Sequence, residues 1–529
     1  MGDTGGADMN WQTKFRKWIM AISFVTSATV AAPQPPAGAP HQKLHPVAVA
    51  GTFYPANPAE LTAMMDQMLA RVILPEIDGQ IVAVVAPHAG YPYSGPVAAY
   101  AYAALKGHKF ARVVVIAPSH YDSFDFTSVF DGDGYVTPLG TVPVDKVFAE
   151  KLAGMSPSIQ LSDHGHRATQ QGAEHAIEVQ LPWLQHVLGS FTLVPVVMGG
   201  QSYESSRALG VALAKLIQNE TTGKGSKAPE PAGETLIVAS SDLSHYHSYE
   251  VAEVMDHKTL SALAEWDYLS LSRNFESRVW EACGGAPIVA AMIAAERMGA
   301  NRAEVLRYAN SGDATSDRAR VVGYSADIFV KLPRADASKT SFSLSEKEKQ
   351  ELLGLARKSV EQAVLQRSLH PAAATGDSAL DQERGAFVTL TVAGQLRGCI
   401  GFTTAAKPLY ETVRDTAALA ALRDPRFSPV TPRELPKLAY EISVLSPMTH
   451  VLDVKQIQVG QHGLLMKNGS REGLLLPQVP VEQHWDRTVF LEQTCRKAGM
   501  DPNCWKDEQT DIFRFTALAF GDRDAAVRN

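Results

Sequence analysis

The feature that most constrains the fold is a series of short apolar segments rich in β-branched residues. Four of them read QIVAVVA, ARVVVIA, FTLVPVVMG and ETLIVASS, and they begin at residues 80, 111, 191 and 234. Segments of this kind are typical of strands that are covered on both faces. Helical patterns lie between them, for example at 95–107 and 175–189. This alternation predicts an α/β fold with a mainly parallel central sheet over residues 44–332.

The second half of the chain has a different pattern. Residues 333–344, PRADASKTSFSL, are mostly polar and predict a linker between two domains. Ser345 and Glu348 follow with the spacing of a capping box, ahead of an amphipathic helix. Beyond that helix, strand patterns mixed with helices predict a smaller α+β domain over residues 345–523.

Length and charge exclude one class of partner. The chain has 529 residues, enough for two to four domains at roughly 150 residues each. Its formal net charge is -7, and it has no long run of one charge sign. Proteins that bind nucleic acid usually carry a basic face. We therefore expect no nucleic-acid partner.

Residues 1–43 predict a leader that is separate from the folded domains. Lys14, Arg16 and Lys17 precede an apolar run over residues 18–32, and a flexible stretch rich in proline and alanine follows. This order is typical of a secretory signal peptide, and it predicts export, for example to a periplasm. Two alternatives stay open: an uncleaved membrane anchor, or a chance apolar stretch ahead of a cytoplasmic protein. No other segment is apolar over the thickness of a bilayer.

Four cysteines are too few for a disulfide scaffold in a chain of this length. In an oxidising compartment Cys495 and Cys504 could pair, but their spacing alone does not establish a bond.

Polar residues follow three of the predicted strands at the point where each strand ends. His88 and His120 come after the first two, and SSDLSHY after the fourth supplies Asp242 and His245. In open α/β sheets, ligands bind beyond the carboxyl ends of the strands. Two imidazoles and one anionic ligand suit a divalent transition metal. The thiolate of Cys283 could be that anion, which would widen the choice of metal to iron, copper or zinc.

A general acid/base pair is predicted beside these residues. His245 would transfer the proton, and the Asp242 carboxylate would fix the imidazole tautomer. Ordinary roles stay open: the histidines could be solvated loop residues, Asp242 could cap a helix, and Cys283 could be a small buried residue. Three other histidines are predicted to lie at the surface: His164, His166 and His186.

A set of motifs in a fixed order resembles the Memo family. They are VAGTFYPANP, APHAGYPYSG, APSHY, EHAIEVQLPWL, SSDLSHY and CGGAPI, and they cover about residues 44–332. The family is similar in fold to class III extradiol dioxygenases. The resemblance implies that the metal ligands are His88, His120 and Cys283, and that His245 has the place of the acid/base histidine. Further residues of these motifs are possible contacts of the substrate or of the ligands: Tyr91, His175 and Glu178.

The chain departs from these families at two positions. The dioxygenases have a carboxylate as the third ligand where this chain has Cys283, so ring cleavage does not follow from the resemblance. The Memo family often carries a bulky residue, frequently arginine, where this chain has Gly285. A positive contact to the substrate is therefore absent or supplied elsewhere.

Motifs of the second half resemble the AMMECR domain: RGAFVTL, LRGCIG, DPRF, LLPQV and TCRKAGM. The resemblance implies a two-lobed α+β unit with a cleft near Arg397 and Cys399, to which Gln478 could contribute. The alternative is that LRGCIG is only a tight turn that needs small residues. The fusion resembles components B and A of the AmmeMemoRadiSam system, whose third member implies a radical SAM protein as a possible partner.

These observations predict a metal-dependent redox enzyme, with iron as the expected metal, that acts on a small organic or peptide substrate. Two alternatives stay open. The protein could bind or deliver iron or copper, or serve as a partner-binding scaffold, without turnover. A zinc-bound water could also carry out hydrolysis.

Overall fold

The computed structural model describes residues 42–221, 234–333, 342–366 and 379–522. The predicted leader lies outside these residues except for its last two positions, and so do residues 334–341 of the predicted linker. In the described part, no helix combines the length and the apolar character needed to span a membrane.

The strands of the first half are β1 (Leu44–His45), β2 (Gln80–Ala86), β3 (Phe110–Pro118), β4 (Thr127–Phe130), β5 (Gly134–Thr137), β6 (Gly140–Pro143), β7 (Ile159–Ser162), β8 (Thr192–Met198), β9 (Glu234–Ser240), β10 (His245–His247), β11 (Arg302–Asn310) and β12 (Val321–Lys331). The strands of the second half are β13 (Ala386–Val392), β14 (Gln395–Phe402), β15 (Leu438–Leu445), β16 (Thr449–His450), β17 (Gly463–Asn468), β18 (Arg471–Leu475), β19 (Asp511–Phe515) and β20 (Ala517–Gly521).

The α-helices of the first half are α1 (Pro58–Leu69), α2 (Tyr91–Ala104), α3 (Lys146–Ala153), α4 (Gln180–Leu188), α5 (Tyr203–Thr221), α6 (Tyr249–Ala264), α7 (Tyr268–Glu276), α8 (Gly285–Arg297) and α9 (Ser311–Thr315). Those of the second half are α10 (Glu346–Gln366), α11 (Leu409–Leu422), α12 (Gln478–Glu482) and α13 (Arg487–Lys497).

The central sheet of the first half has the strand order β10-β12-β2-β9-β3-β8-β4-β7, with β11 paired to β12. The four apolar segments of the sequence are the neighbours β2, β9, β3 and β8, and these pair in parallel. The flanking strands β12 and β4 run antiparallel to them. The predicted α/β fold with a parallel centre is therefore confirmed, with antiparallel strands added on both sides.

Apolar cores cover both faces of this sheet, which explains why its central strands read as continuous apolar runs. One core joins the sheet to α1, α2 and α4, and the other joins it to α5, α7 and α8. Adjacent residues of β2 point to opposite faces, so that Val84 lies in the first core and Val85 in the second.

The second half is α+β, as predicted. It contains two four-stranded antiparallel sheets, ordered β14-β13-β15-β20 and β16-β19-β17-β18. The predicted capping box is present at the start of α10. The Ser345 hydroxyl accepts a hydrogen bond from the Glu348 amide, and the Glu348 carboxylate accepts one from the Ser345 amide at 2.7 Å.

Buried charges join the second half to the first. Asp511 on β19 accepts hydrogen bonds from Arg207 Nε at 2.6 Å and from the Tyr203 hydroxyl at 2.7 Å, and both donors belong to α5. Arg297 of α8 and His450 of β16 lie 3.6 Å and 3.4 Å from the other carboxylate oxygen. We call these five residues the Asp511 network. The described residues from Lys43 onward accordingly belong to one compact unit.

The four cysteines divide into a pair and two free thiols. Cys495 of α13 and Cys504 form a disulfide, and both are buried. Cys283 and Cys399 are free.

Candidate metal centre

Two proline residues mark the ends of β2 and β3, the strands on either side of β9, and a histidine follows each proline closely. Pro87 follows β2 and Pro118 ends β3, and proline cannot donate a hydrogen bond to continue the strand pairing. The chain leaves the sheet at these points and presents His88 and His120 at its carboxyl edge. Their rings lie 5.1 Å apart, edge to face.

Cys283 joins these histidines from a distant part of the sequence. Its Sγ lies 3.1 Å from His88 Nε2, and ligand atoms of His88, His120 and Cys283 all lie within 4.8 Å of one another. The next residue, Gly284, lets the thiol approach, because a Cβ there would lie 2.3 Å from the Ser240 carbonyl oxygen. The structure thus brings together the three residues that the resemblance implied.

The surroundings of Cys283 favour the thiolate. Burial raises the pKa of the thiol, but the charge on His88 and hydrogen bonds with His120 and His88 lower it to about 6. The Asp242 amide also donates to Sγ at 3.2 Å. A thiolate is the form of cysteine that binds metals.

The carboxylate of Glu174, from the EHAIEVQLPWL motif, holds His120. Glu174 accepts hydrogen bonds from the His120 amide at 2.6 Å and contacts its Nδ1 at 2.9 Å. Burial lowers the pKa of His120, but hydrogen bonds with Cys283 and Glu174 raise it to about 11. Burial raises the pKa of Glu174, but its hydrogen bond with His120 lowers it to about 2. His120 is therefore oriented by an ionised carboxylate. Glu174 stands next to His175 in the EHAIE motif, and this position was the signal in the sequence for its role at the site.

His175 lies beside the ligands, as the resemblance allowed. Its ring stacks on that of His120 with the centroids 4.9 Å apart, and it meets His88 edge to face at 5.6 Å. Burial lowers the pKa of His175 to about 3, so the ring is neutral. Its Nδ1 is buried and has no hydrogen-bond partner among the described residues.

The prediction that the Asp242 carboxylate fixes the tautomer of His245 is wrong. His245 Nδ1 contacts the backbone carbonyl of Leu243 at 2.8 Å, and that carbonyl fixes the tautomer. The Asp242 carboxylate instead accepts a hydrogen bond from the His88 amide at 2.8 Å, and a longer one from Ala89. Burial raises the pKa of Asp242. Ligand atoms of Asp242, His245 and Cys283 lie within 4.8 Å of one another, so both residues still border the site.

Two residues offered as substrate contacts have internal roles instead. Tyr91 is fully buried and donates to the Val179 carbonyl at 2.8 Å. Glu178 accepts from the Val49 amide at 3.0 Å and from the Tyr54 hydroxyl at 2.5 Å. Glu178 thus holds the chain near Val49 and Tyr54, and Tyr91 joins α2 to the residue just before α4.

The prediction that His166 lies at the surface is also wrong. It is buried, with Nδ1 2.6 Å from the Tyr135 hydroxyl, and burial lowers its pKa to about 3. His164 and His186 are partly exposed and contact Asp122 and Asp66.

In the described part of the chain, the three candidate residues of the second half are held by other partners and not by one another. The Arg397 guanidinium is engaged by Glu434 at 2.7 Å and by the Ser428 carbonyl at 2.9 Å. Burial raises the pKa of the Cys399 thiol, which disfavours a reactive thiolate. Gln478 begins α12, and no hydrogen bond joins it to the other two among the described residues.

Two family models match this chain. Residues 45–328 match the family described as Memo-like protein, and residues 353–520 match the family described as AMMECR1. The chain is thus similar to two families that are joined in one polypeptide.

Curated relatives match the first half over nearly their whole length. A MEMO1 family protein of Methanothermobacter thermautotrophicus is 34% identical over 284 residues, which cover 52% of this chain and 97% of the relative. Another, of Methanopyrus kandleri, is 36% identical over 293 residues, which cover 53% of this chain and 97% of the relative. A solved structure, of an uncharacterized protein from Pyrococcus horikoshii, is 38% identical, covers 34% of this chain and 94% of that chain, and gives a TM-score of 0.33.

Proposed function

This chain belongs to the Memo-like protein family, and from that membership and the geometry of the sheet edge we propose that it is a metal-dependent redox enzyme using non-haem iron. The observation that carries the proposal is the convergence of His88, His120 and Cys283 within 4.8 Å at the carboxyl edge of a parallel sheet. Ligands of α/β sheets bind at this edge.

The donor atoms fit a transition metal. Each imidazole contacts a neighbour through Nδ1, His88 with Ser240 and His120 with Glu174, which leaves both Nε2 atoms for a metal. A thiolate completes a set of two nitrogens and one sulfur, which suits iron, copper or zinc. When bound, an iron ion would supply one-electron redox chemistry and open coordination positions.

His245 is the residue proposed to move a proton. Its Nδ1 donates to the Leu243 carbonyl, so the lone pair of Nε2 is free to accept a proton from a substrate. Nε2 has no hydrogen-bond partner among the described residues, whereas the nearby His247 ring is held by Glu281 at 3.0 Å. His175, neutral and buried, would help to exclude water from the ligands.

The substrate proposed is a small organic molecule or peptide. Gly285 has no side chain to provide the positive contact that the family often has, and a Cβ at that position would lie 2.7 Å from the ring of Phe275. A substrate bound at this site would therefore be recognised without a positively charged side chain at position 285.

Metal analysis tests the proposal. Full-length protein, purified without added metal and then loaded anaerobically with Fe²⁺, should hold about one iron per chain, and the double variant His88→Ala/His120→Ala should hold almost none. Equal, substoichiometric iron in both proteins would overturn the proposal. Oxygen uptake by the iron-loaded protein with a panel of catechols, other small organic acids and peptides should then reveal turnover that His245→Ala abolishes.

The thiolate favours one alternative, a protein that binds or delivers copper or iron without turnover. Sulfur ligands select Cu(I) more strongly than carboxylates do. Tight, reversible Cu(I) binding that outcompetes Fe²⁺, together with no oxygen uptake by either loaded form, would favour this function over the enzyme.

We also propose that the protein is exported. The disulfide between the buried Cys495 and Cys504 supports this, because such bonds persist mainly in oxidising compartments. A radical SAM protein remains the proposed partner only if the chain stays in the cytoplasm. Cell fractionation with thiol labelling separates the two cases: free Cys495 and Cys504 in a cytoplasmic fraction would contradict export.

A further inference from the structure

We propose that Ser240 and Gln180 are positioning residues that keep a proton on Nδ1 of His88, so that Nε2 faces the metal. The inference rests on the proposed function, since it concerns the same site. It follows from counting donors and acceptors in a buried hydrogen-bonded chain behind the His88 ring. Ser240 and Gln180 are both fully buried, so that solvent cannot replace either partner.

The orientation of the Gln180 side-chain amide is fixed by backbone carbonyls, which can only accept hydrogen bonds. Its Nε2 lies 3.1 Å from the Pro87 carbonyl and 3.3 Å from the Ala86 carbonyl, and carbonyl oxygens only accept hydrogen bonds. The Tyr102 hydroxyl donates to Oε1 on the other side. The amide nitrogen therefore faces Ser240 and must donate to its Oγ, at 2.7 Å.

The Ser240 hydroxyl has a single proton, and that proton is used elsewhere. Oγ lies 2.7 Å from the Ala176 carbonyl, which can only accept, so the hydroxyl donates there. Its lone pairs then accept from Gln180 and from the third neighbour, His88 Nδ1, at 2.9 Å. Because Ser240 has no proton left to give, Nδ1 of His88 must carry one.

A proton on Nδ1 of His88 determines the state of the other ring nitrogen, Nε2. With Nδ1 protonated, the neutral form of His88 has its lone pair on Nε2, the atom 3.1 Å from Cys283 Sγ. The two imidazoles of the site are thus oriented by different chemistry. A charged carboxylate holds His120, whereas a neutral amide and hydroxyl hold His88. A neutral chain preserves the tautomer without adding negative charge behind the ligand.

Nitrogen NMR of the full-length, metal-free protein labelled with ¹⁵N-histidine tests the inference directly. In wild type, Nδ1 of His88 should show the shift of a protonated nitrogen, and it should do so again in protein loaded with Zn²⁺ as a diamagnetic probe. An unprotonated Nδ1 in either sample would overturn the inference, and this result needs no variant.

Variants then measure the effect on binding. Ser240→Ala should lower the Fe²⁺ affinity by about 10- to 100-fold, the usual effect of removing a partner of a metal ligand. Gln180→Leu should lower it less, because Ser240 still accepts from His88. Ser359→Ala is the matched control, since Ser359 is a buried serine that donates to the Leu355 carbonyl at 2.7 Å on α10. Wild-type affinity in folded Ser240→Ala would overturn the inference.

These experiments distinguish failure of the positioning role from failure of the proposed function. If wild type retains no iron but Nδ1 of His88 is protonated, the enzyme proposal fails and the positioning role of Ser240 stands. If iron binds tightly and equally in wild type and Ser240→Ala, the positioning role fails and the enzyme proposal stands.

Discussion

His88 Nε2 lies 3.1 Å from Cys283 Sγ, although the two residues are 195 positions apart in the sequence. The contact links the end of β2 to the segment before α8 and lowers the pKa of the thiol to about 6. The contact offers a direct test of the site, because each of the two side chains can be replaced separately.

Replacing the thiol should remove most of the metal affinity. Cys283→Ser loses the thiolate, and we expect Fe²⁺ affinity, measured by competition with a coloured chelator, to fall by more than about 100-fold, beyond the loss typical of a partner of a ligand. Cys399→Ser is the matched control, because Cys399 is the other free cysteine. Equal losses in the two variants would argue against Cys283 as a ligand.

The reactivity of the two free thiols should differ in its pH dependence. In metal-free protein, alkylation of Cys283 by iodoacetamide should rise with pH through a midpoint near 6, since its pKa is lowered to about 6. Burial raises the pKa of Cys399, so its alkylation should rise only at strongly alkaline pH. Peptide mass spectrometry over pH 5–10 follows both sites. A shared midpoint would contradict the role of His88 beside the thiol.

A methyl group at Gly284 should displace Cys283. In Gly284→Ala the new Cβ would lie 2.3 Å from the Ser240 carbonyl and 2.6 Å from the Ser241 Cβ, so the backbone must shift. We expect metal affinity to fall by about 10-fold or more, because small displacements of a ligand set are costly.

Gly354→Ala provides the comparison for that substitution. Gly354 lies within α10, and a Cβ there meets nothing within 4 Å. Alanine should therefore stabilise the helix by about 0.5–1 kcal/mol and leave metal binding unchanged. Unchanged metal affinity in Gly284→Ala as well would mean that the approach of Cys283 to the sheet is not needed for binding.

Asp511→Asn should destabilise the junction of the two halves. The substitution leaves Arg207 and Arg297 without their buried anion, and breaking a buried ion pair in this way costs about 3–5 kcal/mol. The free energy of unfolding from urea titration measures the change. Glu482→Gln is the control for charge alone, because Glu482 is an exposed carboxylate on α12. A loss below about 1 kcal/mol would show that the network contributes little.

His450 should make stability fall at alkaline pH. Burial lowers its pKa, but the carboxylates of Asp511 and Glu296, 3.4 Å and 3.5 Å from its ring nitrogens, raise the pKa above the ordinary value. The stabilisation is therefore complete below the unfolded pKa of about 6.5 and is lost as pH rises through the higher folded pKa. The difference in unfolding free energy between wild type and His450→Gln should shrink between pH 6 and 9. The exposed His257→Gln gives the comparison on α6, and a constant difference for His450→Gln would refute the prediction.

The sequence predicted the parts of the fold that local pattern controls. The apolar runs that became β2 and β3 are continuous because both faces of the sheet are covered, and the prolines after them marked where His88 and His120 leave it. The capping box at Ser345 is equally local. Such features are visible in sequence because neighbouring residues determine them.

The partners of the site residues were harder to predict, because they come from distant segments. Nothing near Asp242 in the sequence indicates that its carboxylate would bind the amide of His88, and proximity suggested His245 instead. Tyr91 stood in a motif beside His88, yet the helix that begins there turns its side chain into the core. Gln180 and Ser240 carry no local signal of their role, since it depends on four separate segments meeting.

The distance in sequence between the ligands sets an order for biosynthesis. A nascent chain that has presented His88 and His120 still lacks Cys283, which lies between α7 and α8. An ion held by these three residues would therefore have no complete set of ligands until most of the first half had been translated and its sheet assembled. From then on, capture of an ion would stabilise the finished fold by mass action, by about 2.7 kcal/mol when the free ion is at a hundred times its dissociation constant. Under the proposed function, metal loading would thus act as a late checkpoint that only correctly folded chains could pass.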